Sequence, residues 1–397
     1  MTPPEGSPPS GIFRVGVAFT GDPQNPTTWS GTPLGLSRGL GEKGIEVVGL
    51  NVEPGPALDA VTKNLVASLR LHRSWRDSPT ATIRFARAVA RASPELARLR
   101  SWVGNRALRQ AGTLDGLIQI GTGYSFRTTT PIAVFCDITV MQAVELGYPE
   151  WRALSRRAIR ARVDRQRRAY EQAAACCATT NWAGDSIVAD YGIPRDKVFA
   201  VGVGRNHSPG PATRNWSVPR FVWIGTDWYG KNGDAVLRAF TRVRHEYPEA
   251  RLDLVGSHPY VDGDGVTGHG PLRLDHPAHR RRMGELLQTA TCFVLPSRYE
   301  AAAIAYVEAG ATGLPCIGTT VGGARELVGE AGRLVDPTDD EALFEAMLEL
   351  SNPDTAARIG ALALERAPLF TWSAVAERVV RALRLPHPDI DSFAAFL

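Results

Sequence analysis

Short apolar runs alternate with helical patterns along the first half of the chain. Residues 13–19 and 45–52 are rich in β-branched and small residues, which predicts two buried strands. The stretch from Gly31 to Glu42 between them predicts a helix. Further strands are predicted at residues 116–121, 131–136, 176–180 and 197–203. A strand, a glycine-containing loop, a helix and a second strand make a Rossmann-like unit, in which ligands bind at the loop after the first strand.

The same alternation starts again at Arg220. Apolar runs predict strands at 220–225, 251–256, 292–295 and 331–336, and helical periodicity predicts helices at 234–243, 339–350, 355–366 and 372–383. A glycine-rich loop is predicted after the strand at 251–256. Residues 56–112 are predicted to form helices rich in arginine and alanine, such as Ile83 to Ala92. The predicted organisation is a disordered leader (1–12), a first α/β domain (13–207), a linker (208–217), a second α/β domain (218–370) and a terminal helical segment (371–397).

Composition indicates a globular protein of two ordinary domains, since 44% of the 397 residues are hydrophobic and 22% are charged. Arginine outnumbers lysine by 41 to 4, but the net charge is only +4, so we attribute the arginines to genome composition and not to nucleic-acid binding. The five cysteines lie in or beside apolar runs without metal spacing, which predicts reduced thiols in a cytoplasmic protein. The leader has no apolar core typical of a signal peptide, and no run approaches the ~18 apolar residues of a membrane span.

The stretch from Val294 to Glu308 carries the most chemistry. A buried strand ends at Pro296, a loop contains Glu300, and a helix of small residues follows that includes Glu308. The free backbone N–H groups at the start of such a helix, near Ala303 and Ile304, favour a bound anion. Carboxylates beside that anion suit hydroxyl groups, which donate strong hydrogen bonds to them. Phosphate on the amides and sugar hydroxyls on the carboxylates describe a nucleotide-sugar site.

The spacing around these glutamates resembles the donor-site signature of the family 4 retaining glycosyltransferases. The residues that carry the resemblance are Glu300, Glu308, Ala309-Gly310, Gly313-Leu314-Pro315, Gly322-Gly323 and Glu326. This family has the GT-B fold, an α/β architecture of two Rossmann-like doubly wound domains facing across a cleft. The resemblance implies transfer of a sugar from a nucleotide-diphosphate sugar to a hydroxyl acceptor by front-face displacement. It also implies that the first domain holds the acceptor, and that the terminal helix packs back on that domain.

One departure concerns the donor sugar. The family usually has Gly-Phe-Gly after the first glutamate, whereas this chain has Ala301-Ala302-Ala303. Backbone amides survive that change, but three methyl groups narrow the pocket.

A second predicted site element is Lys231, in the loop after the strand at 220–225. A compact ammonium group on a flexible stem suits a diphosphate, and the family has a lysine in this loop for that purpose. The family's helping arginine is replaced by Thr226. The first loop has Ser30-Gly31-Thr32 where the family has paired glycines, and a plain connecting loop remains the alternative. The donor-binding residues implied by the resemblance are Gly31, Thr226, Lys231, Glu300, Ala303, Ile304 and Glu308.

Asp137 lies at the carboxyl end of the strand at 131–136, where many family members have a histidine that approaches the sugar. Two roles remain open for it: a hydrogen bond to an acceptor or donor hydroxyl, or a cap on the next helix. We take Lys231, Glu300 and Asp137 as the candidate catalytic residues.

No cofactor or metal is expected beyond the nucleotide sugar, which is a co-substrate. The pair Asp262-Gly-Asp264 has the form of a Mn²⁺ or Mg²⁺ site, but its flanking glycines and its separate loop favour a turn. Residues 269–272 are implied by the resemblance to pack the nucleotide base.

The arginines between Arg152 and Arg168 are predicted to lie on one long helix that continues to Ala175. They surround most of the helix, which favours a solvated surface over peripheral membrane contact. The alternatives to a transferase are a catalytically inactive sugar-nucleotide-binding protein and a GT-B sugar-nucleotide epimerase or hydrolase.

Overall fold

The computed structural model describes residues 13–55 and 93–385, apart from residues 153, 208, 213, 262 and 274. Within that range the chain forms two parallel sheets of six strands each. The predicted alternation of strand and helix is therefore confirmed. The predicted helix at Ile83 to Ala92 lies outside the described residues.

The first sheet is built from strands between residues 14 and 200. They are β1 (Arg14–Phe19), β2 (Glu46–Asn51), β3 (Gly116–Ile120), β4 (Ile132–Cys136), β5 (Ala175–Ala178) and β6 (Val198–Ala200). Their spatial order is β2-β1-β3-β4-β5-β6. β3, β4 and β5 are buried along their whole length, as expected for apolar runs in a parallel sheet. The order changes direction between β1 and β3, and ligands bind outside the carboxyl ends of strands at such a point.

Six helices are described in this half of the chain. They are α1 (Thr32–Glu42), α2 (Pro94–Ala111), α3 (Val140–Glu145), α4 (Pro149–Arg152), α5 (Arg156–Gln172) and α6 (Asn181–Ala189). The prediction of one helix from Arg152 to Ala175 is wrong. Ser155 has an extended backbone and caps α5 by accepting a hydrogen bond from the Ala158 N–H at 3.2 Å, so the chain starts a new helix there.

The second sheet has strands between residues 220 and 335. They are β7 (Arg220–Gly225), β8 (Arg251–Gly256), β9 (Val266–Gly270), β10 (Cys292–Val294), β11 (Cys316–Thr319) and β12 (Gly332–Val335). The order β12-β11-β10-β7-β8-β9 reverses between β7 and β10. Sequence analysis missed β11 and assigned β9 to a glycine-rich loop. β9 pairs with β8 at the sheet edge across an irregular register, and this pairing makes a strand of a sequence with little apolar pattern.

Seven helices are described in the second half. They are α7 (Gly233–Glu246), α8 (Pro277–Thr289), α9 (Ile304–Gly310), α10 (Ala324–Val328), α11 (Asp340–Glu349), α12 (Pro353–Arg366) and α13 (Trp372–Ala382). α13 packs against α1 of the first half, where Lys43 and Glu377 form an ion pair at 2.8 Å. Among the described residues, no helix has both the length and the hydropathy to cross a membrane.

The contact between α1 and α13 depends on two glycines. A Cβ atom added at Gly39 would lie 2.2 Å from the carbonyl oxygen of Trp372, and one at Gly35 would lie 2.1 Å from the Trp372 ring nitrogen. Distances this short require the helices to move apart. The absence of side chains at these positions therefore allows the terminal helix to dock.

We expect Gly39→Ala to lower the free energy of unfolding by about 1–3 kcal/mol, because overpacking strains the α1–α13 contact. Thermal unfolding would measure the change. Gly41→Ala on the same helix is the matched control, since its added Cβ would meet nothing within 4 Å among the described residues. Loss of a helical glycine there should be neutral or stabilising by about 0.5–1 kcal/mol. Equal melting temperatures for the two variants would contradict the close packing.

Candidate functional site

A cavity of about 610 Å³ lies between the two sheets, and its walls come from both halves of the chain. The loops after β1, β4 and β5 contribute one side, and the loops after β7, β8, β9 and β10 contribute the other. In both sheets these are the carboxyl ends of parallel strands. The loops after β7 and β10 also flank the point where the order of the second sheet reverses, which is where open α/β sheets bind ligands. We call this space the donor cavity, after the nucleotide-sugar donor that the sequence resemblance leads us to expect there.

Lys231 lies in the loop after β7 and lines the donor cavity. Its backbone is held at both ends: the N–H donates to the Asp227 carbonyl oxygen at 2.8 Å, and the carbonyl oxygen accepts from the Trp223 ring nitrogen at 3.1 Å. Its ammonium group lies 2.6 Å from Oε2 of Glu300. Two of the three candidate catalytic residues, 69 positions apart, therefore form an ion pair in this structure.

Glu300 is buried, with 4% of its surface exposed. Its Oε2 atom also accepts a hydrogen bond from the Ser297 hydroxyl at 3.0 Å. The Gly322-Gly323 turn supports the loop from behind, since the Gly323 N–H donates to the Ala301 carbonyl oxygen at 3.1 Å. A Cβ atom at Gly322 would lie 1.7 Å from the Glu300 carbonyl oxygen, so only glycine fits there. The motif glycines thus fix the position of Glu300.

Glu308 lies on α9 at another part of the cavity wall. Its Oε1 atom accepts hydrogen bonds from the backbone N–H groups of Asn206 at 3.1 Å and His207 at 3.0 Å. Burial raises the pKa of Glu308 to about 7, and the two backbone donors oppose that rise. Among the described residues, Oε2 has no hydrogen-bond partner, which leaves it available to ligand hydroxyls.

This pKa predicts a pH-dependent affinity for the nucleotide sugar that is expected from the sequence. Below about pH 7 the Glu308 carboxyl group is protonated. If only the ionised carboxylate binds the ribose, the group must then lose its proton on binding, and affinity should fall by up to about tenfold for each pH unit below 7. Titration between pH 5.5 and 8.5 would measure it. Glu308→Ala should weaken binding by about 1.5–3 kcal/mol at pH 8 and lose this dependence. An unchanged dissociation constant at pH 8 would remove Glu308 from the ribose site.

Asp137 follows β4 and lines the donor cavity from the first sheet. The proposed alternative that it caps the next helix is wrong, because Thr139 is the cap of α3 and accepts from the Gln142 N–H at 3.2 Å. Burial raises the pKa of Asp137 to about 6; backbone N–H donors oppose the rise and the charge of Glu300 adds to it. Asp137 and Glu300 line the same cavity, one from each half of the chain.

The remaining predicted donor residues lie around the same space. Thr226, Ala303 and Ile304 line the cavity, with Thr226 exposed. α9 has only seven residues, and no described side chain caps its start at Ala303. Its free N–H groups, rather than a long helix dipole, are what an anion would meet there.

The first loop is held in an unusual backbone conformation. Trp29 and Ser30 have φ values of 42° and 53°, in a region that non-glycine residues rarely occupy, and Gly31 has a φ of 79°. Ser30 and Trp29 line the cavity, whereas Gly31 is buried. A Cβ at Gly31 would lie 3.1 Å from the Pro26 carbonyl oxygen, so glycine suits this turn.

Sequence analysis missed Asn206. Its side-chain amide donates to the Ser30 carbonyl oxygen and accepts from the Trp372 ring nitrogen at 2.8 Å, while its backbone N–H binds Glu308. It thereby connects the first loop, the terminal helix and the second sheet's site. No local pattern marks it, because its three contacts come from distant parts of the chain.

Arg273 was also missed. It follows β9, lines the donor cavity and pairs with Asp275 at 2.6 Å. Arg273 is a second cation that lines the same cavity as Lys231. The misassignment of β9 as a loop hid this position.

Glu326, the last residue of the motif, contacts the first half of the chain. Its carboxylate accepts from the backbone N–H groups of Asn181 at 2.6 Å and Trp182 at 2.8 Å, at the start of α6. Tyr148 and Tyr299 make a second contact between the halves, with ring centroids 4.6 Å apart. The Tyr299 hydroxyl donates to Asp227 at 2.5 Å, beside the Lys231 loop. These contacts hold the two walls of the cavity together.

The described residues contain no cluster of three or more His, Cys, Asp or Glu side chains suited to a metal ion. Asp262, half of the Asp262-Gly-Asp264 pair, lies outside the described residues.

Comparison with known proteins places this geometry in context. The family model described as "Glycosyl transferases group 1" matches residues 218–352. A D-inositol 3-phosphate glycosyltransferase of Nocardioides sp. is 30% identical over 185 residues, which cover 40% of this chain and 40% of that protein. A glycogen synthase of Mycobacterium tuberculosis is 28% identical over 217 residues, or 50% of this chain and 52% of that protein. The matches to these curated relatives thus span about half of their length or less.

Solved structures match over nearly the whole chain. WaaG, a glycosyltransferase involved in lipopolysaccharide biosynthesis, superposes with a TM-score of 0.62 at 15% identity, covering 93% of this chain and 99% of that one. A sucrose-phosphate synthase of Thermosynechococcus elongatus gives a TM-score of 0.58 at 19% identity, covering 94% and 98%. At these identities the likeness to solved structures establishes the fold, which is the GT-B fold predicted from the sequence.

Proposed function

We propose that this protein is a retaining glycosyltransferase, since residues 218–352 match the family model described as "Glycosyl transferases group 1" and the chain has the GT-B fold. It would move a sugar from a nucleotide-diphosphate sugar to a hydroxyl group of an acceptor. The curated relatives differ in what their names say they act on, so they support the reaction class more than any one substrate.

The observation that carries the proposal is the arrangement along the donor cavity. The Lys231–Glu300 pair lies at the reversal point of the second sheet, beside the free N–H groups at the start of α9. Glu308, further along the same wall, keeps one carboxylate oxygen for a ligand. Positive groups for a diphosphate, flanked by carboxylates for sugar hydroxyls on either side, fit a nucleotide sugar and few other ligands.

In the proposed reaction, Lys231 and the free N–H groups at the start of α9 stabilise negative charge as it develops on the leaving diphosphate. Lys231 would turn from Glu300 to the phosphate when the donor binds, and Arg273 would add a second positive charge. Glu300, freed on one oxygen, would accept a hydrogen bond from the donor sugar. Glu308 would hold the ribose.

Front-face displacement needs no protein base, because the leaving phosphate oxygen takes the proton of the acceptor hydroxyl as the new glycosidic bond forms on the same face. Asp137 would orient that hydroxyl. Its carboxylate lies on the first-sheet side of the cavity, opposite the donor residues. Fixed positive charge replaces a metal ion in this scheme, so none is required.

The five cysteines are buried and unpaired. Free thiols are typical of reducing compartments, which supports our proposal that the protein works in the cytoplasm.

A thermal-shift screen against UDP, GDP, ADP, TDP and CDP would test the proposal, since a ligand that binds the native state raises the melting temperature. The corresponding nucleotide sugars would then be assayed for turnover, with Glu308→Ala as the matched binding-deficient variant. Release of nucleoside diphosphate supports a transferase. Tight binding without turnover would indicate an inactive binding protein, and acceptor-free epimerisation an epimerase. Failure of all five nucleotides to bind would overturn the proposal.

A further inference from the structure

A second cavity, of about 230 Å³, adjoins the donor cavity on the side of the first sheet. The two cavities share Trp29, Phe135 and Asp137. The rest of the second cavity is lined mainly by the loops after β3 and β4 and by α5. Its volume is below the roughly 300–1,000 Å³ of pockets for drug-sized ligands, so it suits a single ring or the end of a longer molecule. We call it the side cavity.

Among the described residues, Arg162 is the one arginine that lines the side cavity. Arg156, Arg157 and Arg160, earlier on α5, are exposed, whereas Arg162 is largely buried. Its guanidinium lies over the Trp151 ring, 5.5 Å from the ring centroid. Its Nε atom is buried and has no hydrogen-bond partner among the described residues. Arg162 has no ion-pair partner among the described residues, whereas nearby Arg100 is paired with Glu53 at 2.9 Å.

A buried cation with an unsatisfied donor is costly, and structures normally provide it with an acceptor. Burial, together with the positive charges of Arg165 and Arg100, lowers the pKa of Arg162 to about 10, so the group stays charged at neutral pH. The described residues that line the side cavity include one carboxylate, Asp137, and it also faces the donor cavity. The Nε atom is buried away from the cavity, so a ligand in the side cavity is best placed to supply an acceptor to the terminal guanidinium nitrogens of Arg162.

The other groups on the wall fit a hydroxylated ring. Trp29, Trp151 and Phe135 contribute aromatic side chains to the wall. The Thr122 hydroxyl is available beside Gln166, which donates to it at 3.3 Å. Asp137 stands at the junction with the donor cavity, where a hydroxyl hydrogen-bonded to it would meet the donor sugar.

We propose that the side cavity is the acceptor subsite, and that it selects an acceptor carrying a phosphate or carboxylate, bound by Arg162, on the same small unit as the reacting hydroxyl at Asp137. This inference rests on the proposed function, because Asp137 is placed by the position of the donor. The anionic group comes from one of two sources with the same chemistry, a soluble sugar or polyol phosphate or a lipid headgroup.

Direct binding tests the subsite without knowledge of the natural acceptor. Glucose 6-phosphate and glucose would be titrated into the full chain by calorimetry, in the presence of whichever nucleoside diphosphate the screen identifies, so that the phosphate site at Lys231 is occupied. We expect glucose 6-phosphate to bind at least roughly tenfold more tightly than glucose. Arg162→Gln should weaken the phosphate ester by about 10–100-fold and leave glucose unchanged, as expected for lost hydrogen bonds to a charged group.

Arg160→Gln is the matched control, since Arg160 lies exposed on the same helix. Arg162→Lys keeps the charge but not the planar donor pair, and should fall between the wild type and Arg162→Gln. Phosphatidylglycerol vesicles against phosphatidylcholine vesicles distinguish the sources: Arg162-dependent binding to the former alone indicates a lipid headgroup. Equal binding of glucose 6-phosphate to the wild type and Arg162→Gln, or equal binding of glucose and its phosphate, would overturn the subsite. If no nucleotide binds, the proposed function fails. Titration of glucose 6-phosphate and glucose without nucleotide, repeated in Lys231→Ala, would still decide whether Arg162 forms an anion site.

Discussion

Lys231→Ala should lower the rate of sugar transfer by at least roughly 10²-fold, as expected when a main electrostatic stabiliser of the leaving group is removed. The structure adds a second reason for a large effect. Lys231 neutralises Glu300, whose side chain is only 5% exposed, so the variant also leaves a buried carboxylate with the Ser297 hydroxyl as its described partner. Initial rates at saturating donor would show the loss in turnover.

Removal of metal ions decides whether fixed positive charge or a bound metal ion neutralises the leaving diphosphate. Activity of the wild type should persist in excess EDTA. The double variant Asp262→Ala with Asp264→Ala should be nearly as active as the wild type. Arg238→Ala is a suitable control, because Arg238 is an exposed cation on α7, paired with Asp340 at 2.7 Å and remote from the cavity wall. An enzyme silenced by EDTA and restored by Mn²⁺, with Lys231→Ala still active, would overturn the assignment of Lys231 and the mechanism with it.

The sheets were largely predictable because each core strand is a short apolar run between glycine, proline or polar residues. β3 and β4 are fully buried, and their almost entirely apolar sequences indicate this burial. β9 could not be predicted in this way: it contains two glycines in five residues, is half exposed, and is a strand because β8 provides its hydrogen bonds. The break before α5 follows from one serine cap within an otherwise helical composition.

The candidate site was predictable where its chemistry is local. Glu300 and Glu308 stand at motif spacing on one loop and helix, and Lys231 is a rare lysine after a strand. What sequence alone missed depends on the topology. Asn206 meets Ser30 across 176 positions, and Arg273 reaches the cavity only because β9 is a strand. The unpaired state of Arg162 is a property of its surroundings, which no helical pattern reveals.

The pairing of Lys231 with Glu300 was not foreseen either, and it sharpens the last prediction. Glu300→Gln should lower turnover by about 10²-fold with little change in nucleotide affinity. The amide oxygen accepts a weaker hydrogen bond from the sugar hydroxyl, and the neutral side chain no longer compensates the positive charge of Lys231. Steady-state rates and nucleotide titration separate the two effects. Glu249→Gln, an exposed acid away from the cavity, is the control.

The double variant Lys231→Ala with Glu300→Gln shows whether the pair acts as one unit. If each residue serves the reaction partly through the other, the double variant should lose about as much activity as the worse single variant, since the first change already breaks the pair. Additive losses would mean that the ion pair seen here is incidental to the chemistry. An equal loss of nucleotide affinity and turnover in Glu300→Gln would instead place Glu300 at the ribose or phosphate, and the donor sugar would then need another partner in the cavity.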